Sequence, residues 1–180
     1  ALYNNDPLWE NVSIRGIQVV GSSNYPAGNT TYKGGVISNV GVYSEGTCFN
    51  VSVSDCVFLE MTNGSVAILS ADGSTGVTIK NNQFTNGNYN GKIISVYGTD
   101  GAGDNSPRNV LIDGNVLTDG GPLRHYDCSI EDWTSSADAI HLDNCRHSII
   151  SNNRLRNTSA EAIRVEQSQF IIVRGNSIYR

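Results

Sequence analysis

Two stretches decide the fold: NVLIDGNVL at 109–117 and HSIISNNRL at 147–155. Each alternates apolar and polar residues over one short strand, pauses at two small or polar residues, and resumes with an apolar residue. Period-two alternation is the mark of a strand with one buried face, and the polar pair marks a sharp corner. The same pattern recurs as NVSIRGIQV at 11–19, NVSVSDCVF at 50–58, GVTIKNNQF at 76–84 and FIIVRGNSI at 170–178. A repeat of this kind sets the architecture before any single motif does.

Aligning the copies places Ile17, Cys56, Asn82, Asn115, Asn153 and Asn176 at one corner position. Stacked strands lie about 4.8 Å apart, so Asn amides at one corner can hydrogen-bond along the stack. The two apolar members come first, so the ladder is expected to begin at the third copy. Corner-to-corner intervals are 39, 26, 33, 38 and 23 residues. The shortest is a bare coil, and the longer ones predict loops around 22–34, 86–91, 98–107 and 118–137. A leucine-rich repeat would hold its spacing, a propeller would need antiparallel hairpins, and no amphipathic stretch of helical length occurs. The expected fold is all-β, a right-handed parallel β-helix of about six coils with inserted loops, built as one domain over 1–180.

Composition agrees. The chain has 19 glycines among 180 residues and only 16% charged side chains, which suits many turns and few surface helices. A net charge of −5 speaks against a nucleic-acid partner, since phosphate recognition draws on clustered Lys and Arg. No apolar run reaches membrane-spanning length. Ala1 opens straight into strand-like sequence and Arg180 directly follows the last strand, with no capping element. The reading therefore expects a segment of a longer helix, or coil ends covered by self-association or a neighbouring subunit.

Four cysteines occur, with no C-x-x-C pair. Cys56 falls in the corner column and is expected to be a buried thiol, while a Cys128–Cys145 disulfide could pin the long loop. Sequons at Asn11, Asn29, Asn50, Asn63 and Asn157 would carry glycans in a secreted eukaryotic protein. They lean the setting towards extracellular or surface-exposed.

The repeats with Asn at the corner resemble the pectate-lyase-like right-handed β-helix superfamily, from about residue 9 to 180. That resemblance implies a fold and leaves function open among polysaccharide lyases, hydrolases, epimerases, tailspike depolymerases and non-catalytic adhesins. In the resembled enzymes an outward strand column lines the sugar groove. Here IHLDN at 140–144 and IRVEQ at 163–167 put His141 beside Arg164 and Asp143 beside Glu166, all outward, with Asp138 beside Glu161 at the preceding corner. Tyr43 and Tyr97 are assigned to the Asp143 column. Paired carboxylates can split acid and base roles, and tyrosines stack on sugars. Asp138, His141, Asp143, Glu161, Arg164 and Glu166 are thus the candidate catalytic residues, and Tyr43, Tyr97, Tyr126 and Trp133 the candidate sugar contacts. A solvated polar face would read the same way.

SADAIHLD at 136–143 resembles in part the N-T-D-G-I-H segment of polygalacturonases, with Asp138 at the carboxylate position. Ser136–Ala137 and Ala139 depart from it, Ala160–Glu161 replaces the paired aspartates, and the family's other elements are missing. No specific mechanism follows. No resident metal or cofactor is assigned, although stacked Asp143 and Glu166 could attract calcium. Two functions stay open: a carbohydrate-recognising or polysaccharide-modifying surface protein of tailspike type, and a structural or adhesive module of a fibre, spike or filament.

Overall fold

The computed structural model describes residues 2–4, 8–20, 41–59, 61, 66–69, 71–85, 93–99, 103–118, 138–158 and 161–179. Strands are numbered in chain order. Sheet one contains β1 (Leu2–Asn4), β5 (Val42–Glu45), β9 (Val66–Leu69), β12 (Ile94–Tyr97), β15 (Ile140–Asp143) and β18 (Ile163–Glu166). Sheet two contains β3 (Ser13–Arg15), β7 (Ser52–Ser54), β10 (Thr78–Lys80), β13 (Leu111–Asp113), β16 (Ile149–Ser151) and β19 (Ile172–Arg174). Sheet three contains β4 (Gln18–Val20), β8 (Val57–Leu59), β11 (Gln83–Thr85), β14 (Val116–Thr118), β17 (Arg154–Arg156) and β20 (Ser177–Tyr179). A short pair, β2 (Leu8–Glu10) with β6 (Thr47–Phe49), completes the described strands.

Pairing is parallel throughout, each strand bonding to its counterparts in the preceding and following coils. That is the stacked solenoid the repeat predicts. The inserted segments 21–40, 86–92 and 119–137 lie outside the described residues.

Two columns of left-handed backbone make the corners. Between sheets two and three, Gly16, Asp55, Asn81, Gly114, Asn152 and Gly175 all have φ between 54° and 66°. Ahead of sheet two, Asn11, Asn50, Gly76, Asn109, His147 and Phe170 repeat the conformation. Gly and Asn tolerate it best, which is why the polar pauses are rich in both. Gly114 also needs to be glycine for space: a Cβ there would lie 2.6 Å from Asn81 Oδ1. The sequon residues Asn11 and Asn50 sit in this second column, and Asn50 Nδ2 donates to Asn11 Oδ1 at 2.8 Å. Asn-x-Ser is thus also the local grammar of a corner followed by an outward strand serine, as in Ser52 Oγ to Ser13 Oγ. Asn157 is at a third left-handed position, and Asn29 and Asn63 lie outside the described residues.

The Asn ladder runs next to the first corner column. Cys56 N donates to Asn82 Oδ1, Asn82 N to Asn115 Oδ1, Asn115 N to Asn153 Oδ1 and Asn153 N to Asn176 Oδ1, at 2.9–3.0 Å. Each Nδ2 donates in turn to a carbonyl of the previous coil: Val53, Ile79, Ile112 and Ile150. Asn82, Asn115 and Asn153 are at most 1% exposed, so these bonds satisfy groups that water cannot reach.

Inward columns fill the interior. Ile14, Val53, Ile79, Ile112 and Ile150 stack under sheet two, and Phe58, Phe84, Leu117 and Leu155 under sheet three. Phe58 and Phe84 stack at 5.0 Å. Each such side chain contributes about 1.5–3 kcal/mol when fully buried. Burial needs a coil on each side: Val165, Val173 and Ile178, inward residues of β18–β20, are 38%, 49% and 54% exposed.

The disulfide expectation is corrected. Cys145 is a free thiol with no exposed surface, its Sγ directed at Val96 O (3.6 Å) and Asp143 O (3.4 Å), and Cys128 lies outside the described residues. It follows the left-handed Asn144, and the chain turns its side chain into the core cluster. Cys56 is buried and free, as expected.

Two predictions follow from this packing. Asn115→Ala strands the Asn82 N–H and the Ile79 carbonyl, at about 1–3 kcal/mol per buried group, whereas Arg154→Ala on the outer face of β17 changes stability by no more than about 0.5 kcal/mol. Urea unfolding of both variants measures the difference. Burial pushes the Cys145 thiol up to about 12, so iodoacetamide at pH 8 should leave it unmodified in the folded chain. Unfolding without reductant should expose it to full alkylation, and a peptide linked through Cys145 in mass spectra would contradict the assignment.

Candidate functional site

The site is built on the outer face of sheet one, where β12, β15 and β18 lie side by side. Register pairs His141 with Arg164, Asp143 with Glu166 and Tyr97 with Asp143. The first two are the pairings the 23-residue interval predicts, and Tyr97 lies in the Asp143 column as assigned. The backbone N–H of Ala139 bonds Glu161 O, which sets Asp138 next to Glu161 at the entry to the two strands.

Tyr43 is elsewhere. It pairs with Ala67, which pairs with Ser95, which pairs with His141, so Tyr43 belongs to the His141 column and is separated from it by two small residues. Glu45, not Tyr43, lies in the Asp143 column, and Tyr43 Oη donates to Glu45 Oε2 at 3.0 Å. The turn after sheet one differs in length from coil to coil, so the outward register cannot be carried across coils by counting from the corner. Tyr126 and Trp133 lie outside the described residues.

Depth separates the remaining groups. Asp138 is fully buried and the His141 side chain is 4% exposed, although His141 points to the outer face. Above them, Tyr97 and Asp143 are half-buried, and the side chains of Arg164, Glu166 and Glu161 are 32%, 38% and 60% exposed. A buried carboxylate and imidazole thus lie beneath a rim of accessible groups.

One network joins them. Tyr97 Oη is 2.8 Å from His141 Nδ1, and the rings meet edge to face at 4.9 Å. His141 Nδ1 is 3.3 Å from Asp138 Oδ2, and Nε2 is 3.1 Å from Glu166 Oε2. Arg164 binds Glu166 Oε1 through Nη2 and approaches Asp138 Oδ2 at 3.8 Å and Glu161 Oε2 at 3.5 Å. The Arg164 guanidinium holds the Glu166 carboxyl below the usual carboxylate range, with His141 adding to the effect. Burial, then the charges of Asp138 and Asp143, push the Tyr97 phenol upward, so it keeps its proton.

These neighbours surround the imidazole. An ionised Glu166 can only accept, so Nε2 carries a proton towards it, while Nδ1 faces both Asp138 Oδ2 and Tyr97 Oη. The arrangement is a Tyr–His–Glu chain with a buried aspartate at its base. His141 is positioned to orient and polarise groups at the rim. It is too deep to meet a polymer itself. Among the described residues, His141, Asp143 and Glu166 are the one set of three side chains that could hold a metal ion.

Sequence reasoning missed two things here. Alternation separates the sheet's faces, and it says nothing about whether an outward residue is then roofed over, as His141, Ser95 (4%) and Ala67 (6%) are. Glu45 was not singled out because its column was misassigned.

Removing the imidazole tests the network's structural share. His141→Ala leaves the Asp138 carboxylate with one fewer partner inside the protein and is expected to cost about 3–5 kcal/mol in thermal or urea unfolding. Glu161→Ala, at the exposed rim, should leave stability almost unchanged.

No curated protein and no solved structure matches the chain. A family model, the right-handed β-helix region, matches residues 40–180, which include the strands of the site. The parallel coils, the corner ladder and that match over most of the length agree, and the chain belongs to the right-handed β-helix family.

Proposed function

We propose that this chain recognises a hydroxyl-rich glycan on the outer face of β12, β15 and β18. The observation that supports it most is the layered network: fully buried Asp138 and nearly buried His141 beneath Tyr97, Asp143, Arg164, Glu166 and Glu161. Taking charges out of water costs several kcal/mol per ion before pairing, and a solvated strand face would need none of it. Perturbed, desolvated groups held in one geometry are what a binding or reacting surface requires.

The chemistry of the rim suits sugars. Carboxylates accept from hydroxyls, the Arg164 guanidinium donates, and a tyrosine that keeps its proton offers a hydroxyl and a ring face. Acids outnumber bases at the rim, three carboxylates to one guanidinium, which favours a neutral glycan over a polyanion. The same reading assigns the chain to an extracellular or surface setting, where such polymers are met. Hydrolysis is a separate outcome of the test, with Glu166 as the accessible carboxylate and His141 as its positioning residue.

A structural or adhesive β-helix module is the second reading. The observation favouring it is that Arg164 reaches Asp138, Glu161 and Glu166 at once, so the charges largely satisfy one another.

A panel of neutral and acidic oligosaccharides, read by calorimetry and reducing-end release, separates the readings. Binding to a neutral member should weaken about 10-fold or more, roughly 1.4 kcal/mol, in Tyr97→Phe and Glu166→Gln and stay unchanged in Arg154→Ala. No retained glycan, or equal binding by all variants, favours the structural module.

A further inference from the structure

The geometry points to a divalent transition-metal site formed by His141, Asp143 and Glu166. One ligand atom from each of the three lies within 4.8 Å of the others, and they come from two adjacent strands whose register is fixed by four consecutive backbone pairs. The strand pairing and the corner ladder hold these atoms in place before any ion arrives, so binding does not have to order the backbone.

The donor set chooses the ion. One imidazole nitrogen with two carboxylate oxygens suits zinc, cobalt or manganese, whereas calcium prefers six to eight oxygens. Glu166 is already divided for this use: Oε1 binds Arg164, and Oε2 faces His141 Nε2 at 3.1 Å. That spacing is close to the separation of two ligands on one small cation. Three protein ligands on an outward face leave coordination positions open to water or to a sugar hydroxyl.

The support behind the histidine is an independent observation. Metal-ligating imidazoles usually donate their other N–H to a carboxylate. Asp138, fully buried, presents Oδ2 to His141 Nδ1 at 3.3 Å from the side away from Glu166. With an ion at Nε2 the ring presents Nδ1–H to Asp138 Oδ2, with Tyr97 Oη as a second neighbour at 2.8 Å.

The test uses the whole chain, stripped with a chelator and titrated with ZnCl2, CoCl2 and CaCl2 without any saccharide. One equivalent of zinc should bind and raise the melting temperature, cobalt should develop visible ligand-field bands, and calcium should not displace zinc. Asp138→Asn should weaken zinc binding by roughly 10–100-fold. Asp143→Asn, a half-buried isosteric change, should weaken it further and shift the cobalt bands, while Glu45→Gln on β5 changes neither. Absence of saturable binding by wild type, or cobalt spectra and affinities unmoved in Asp143→Asn, overturns the proposal. Because no glycan is present, failure here leaves the glycan reading standing, and loss of glycan binding does not bear on the metal.

Discussion

Everything in this molecule depends on turning the chain sharply at the same place in every coil while leaving no polar group stranded. Left-handed backbone at Gly16, Asp55, Asn81, Gly114, Asn152 and Gly175 makes the turn. The neighbouring Asn column then bonds the buried amides and carbonyls that such a corner leaves facing the core. A parallel stack gains from this in a way that a hairpin cannot, because the same side chain serves the coil before it and the coil after it. With the corner fixed, the inward residues fall into columns and bury one another, and the outward residues fall into columns that a ligand can read.

The candidate site is a consequence of that stacking. His141 and Arg164, or Asp143 and Glu166, are far apart in sequence terms and adjacent only because the two coils repeat without insertion between them. A rigid scaffold of this kind can carry buried charge that a more mobile loop could not hold in geometry. The same stack accounts for which groups are buried. Asp138 sits at the entry corner, covered by His141 and Arg164, and Glu161, one coil further on, stays in solvent. The resulting face has a deep positioning layer and an accessible binding layer, with the ionisation of Glu166 and the protonation of Tyr97 set by their neighbours.

Much of this is readable from residues alone, for a physical reason. A solenoid converts sequence offset into spatial contact, so the ladder at 82, 115, 153 and 176 and the pairs His141–Arg164 and Asp143–Glu166 follow from intervals. Intervals fail where the coil carries an insertion, and so Tyr43 was assigned to the wrong column. Residue type fails where packing overrides preference: His147 and Phe170 adopt left-handed φ of 49° and 57°, with their rings stacked at 4.8 Å, and neither residue announces a corner. Cys145 was expected to reach a loop partner, but the turn after Asn144 sends its thiol inward. Burial of His141 depends on what covers an outward face, which no periodicity encodes.

The central claim is that one outward face, placed by the corner ladder, is where this β-helix meets its ligand. A crystal structure of the chain with a bound oligosaccharide tests it most directly. The account predicts sugar lying across β12, β15 and β18, within hydrogen-bond distance of Tyr97, Arg164 or Glu166 and above an undisturbed His141–Asp138 pair. Saccharide ordered on sheet two or sheet three, with the Tyr97–Glu166 face empty, would contradict it.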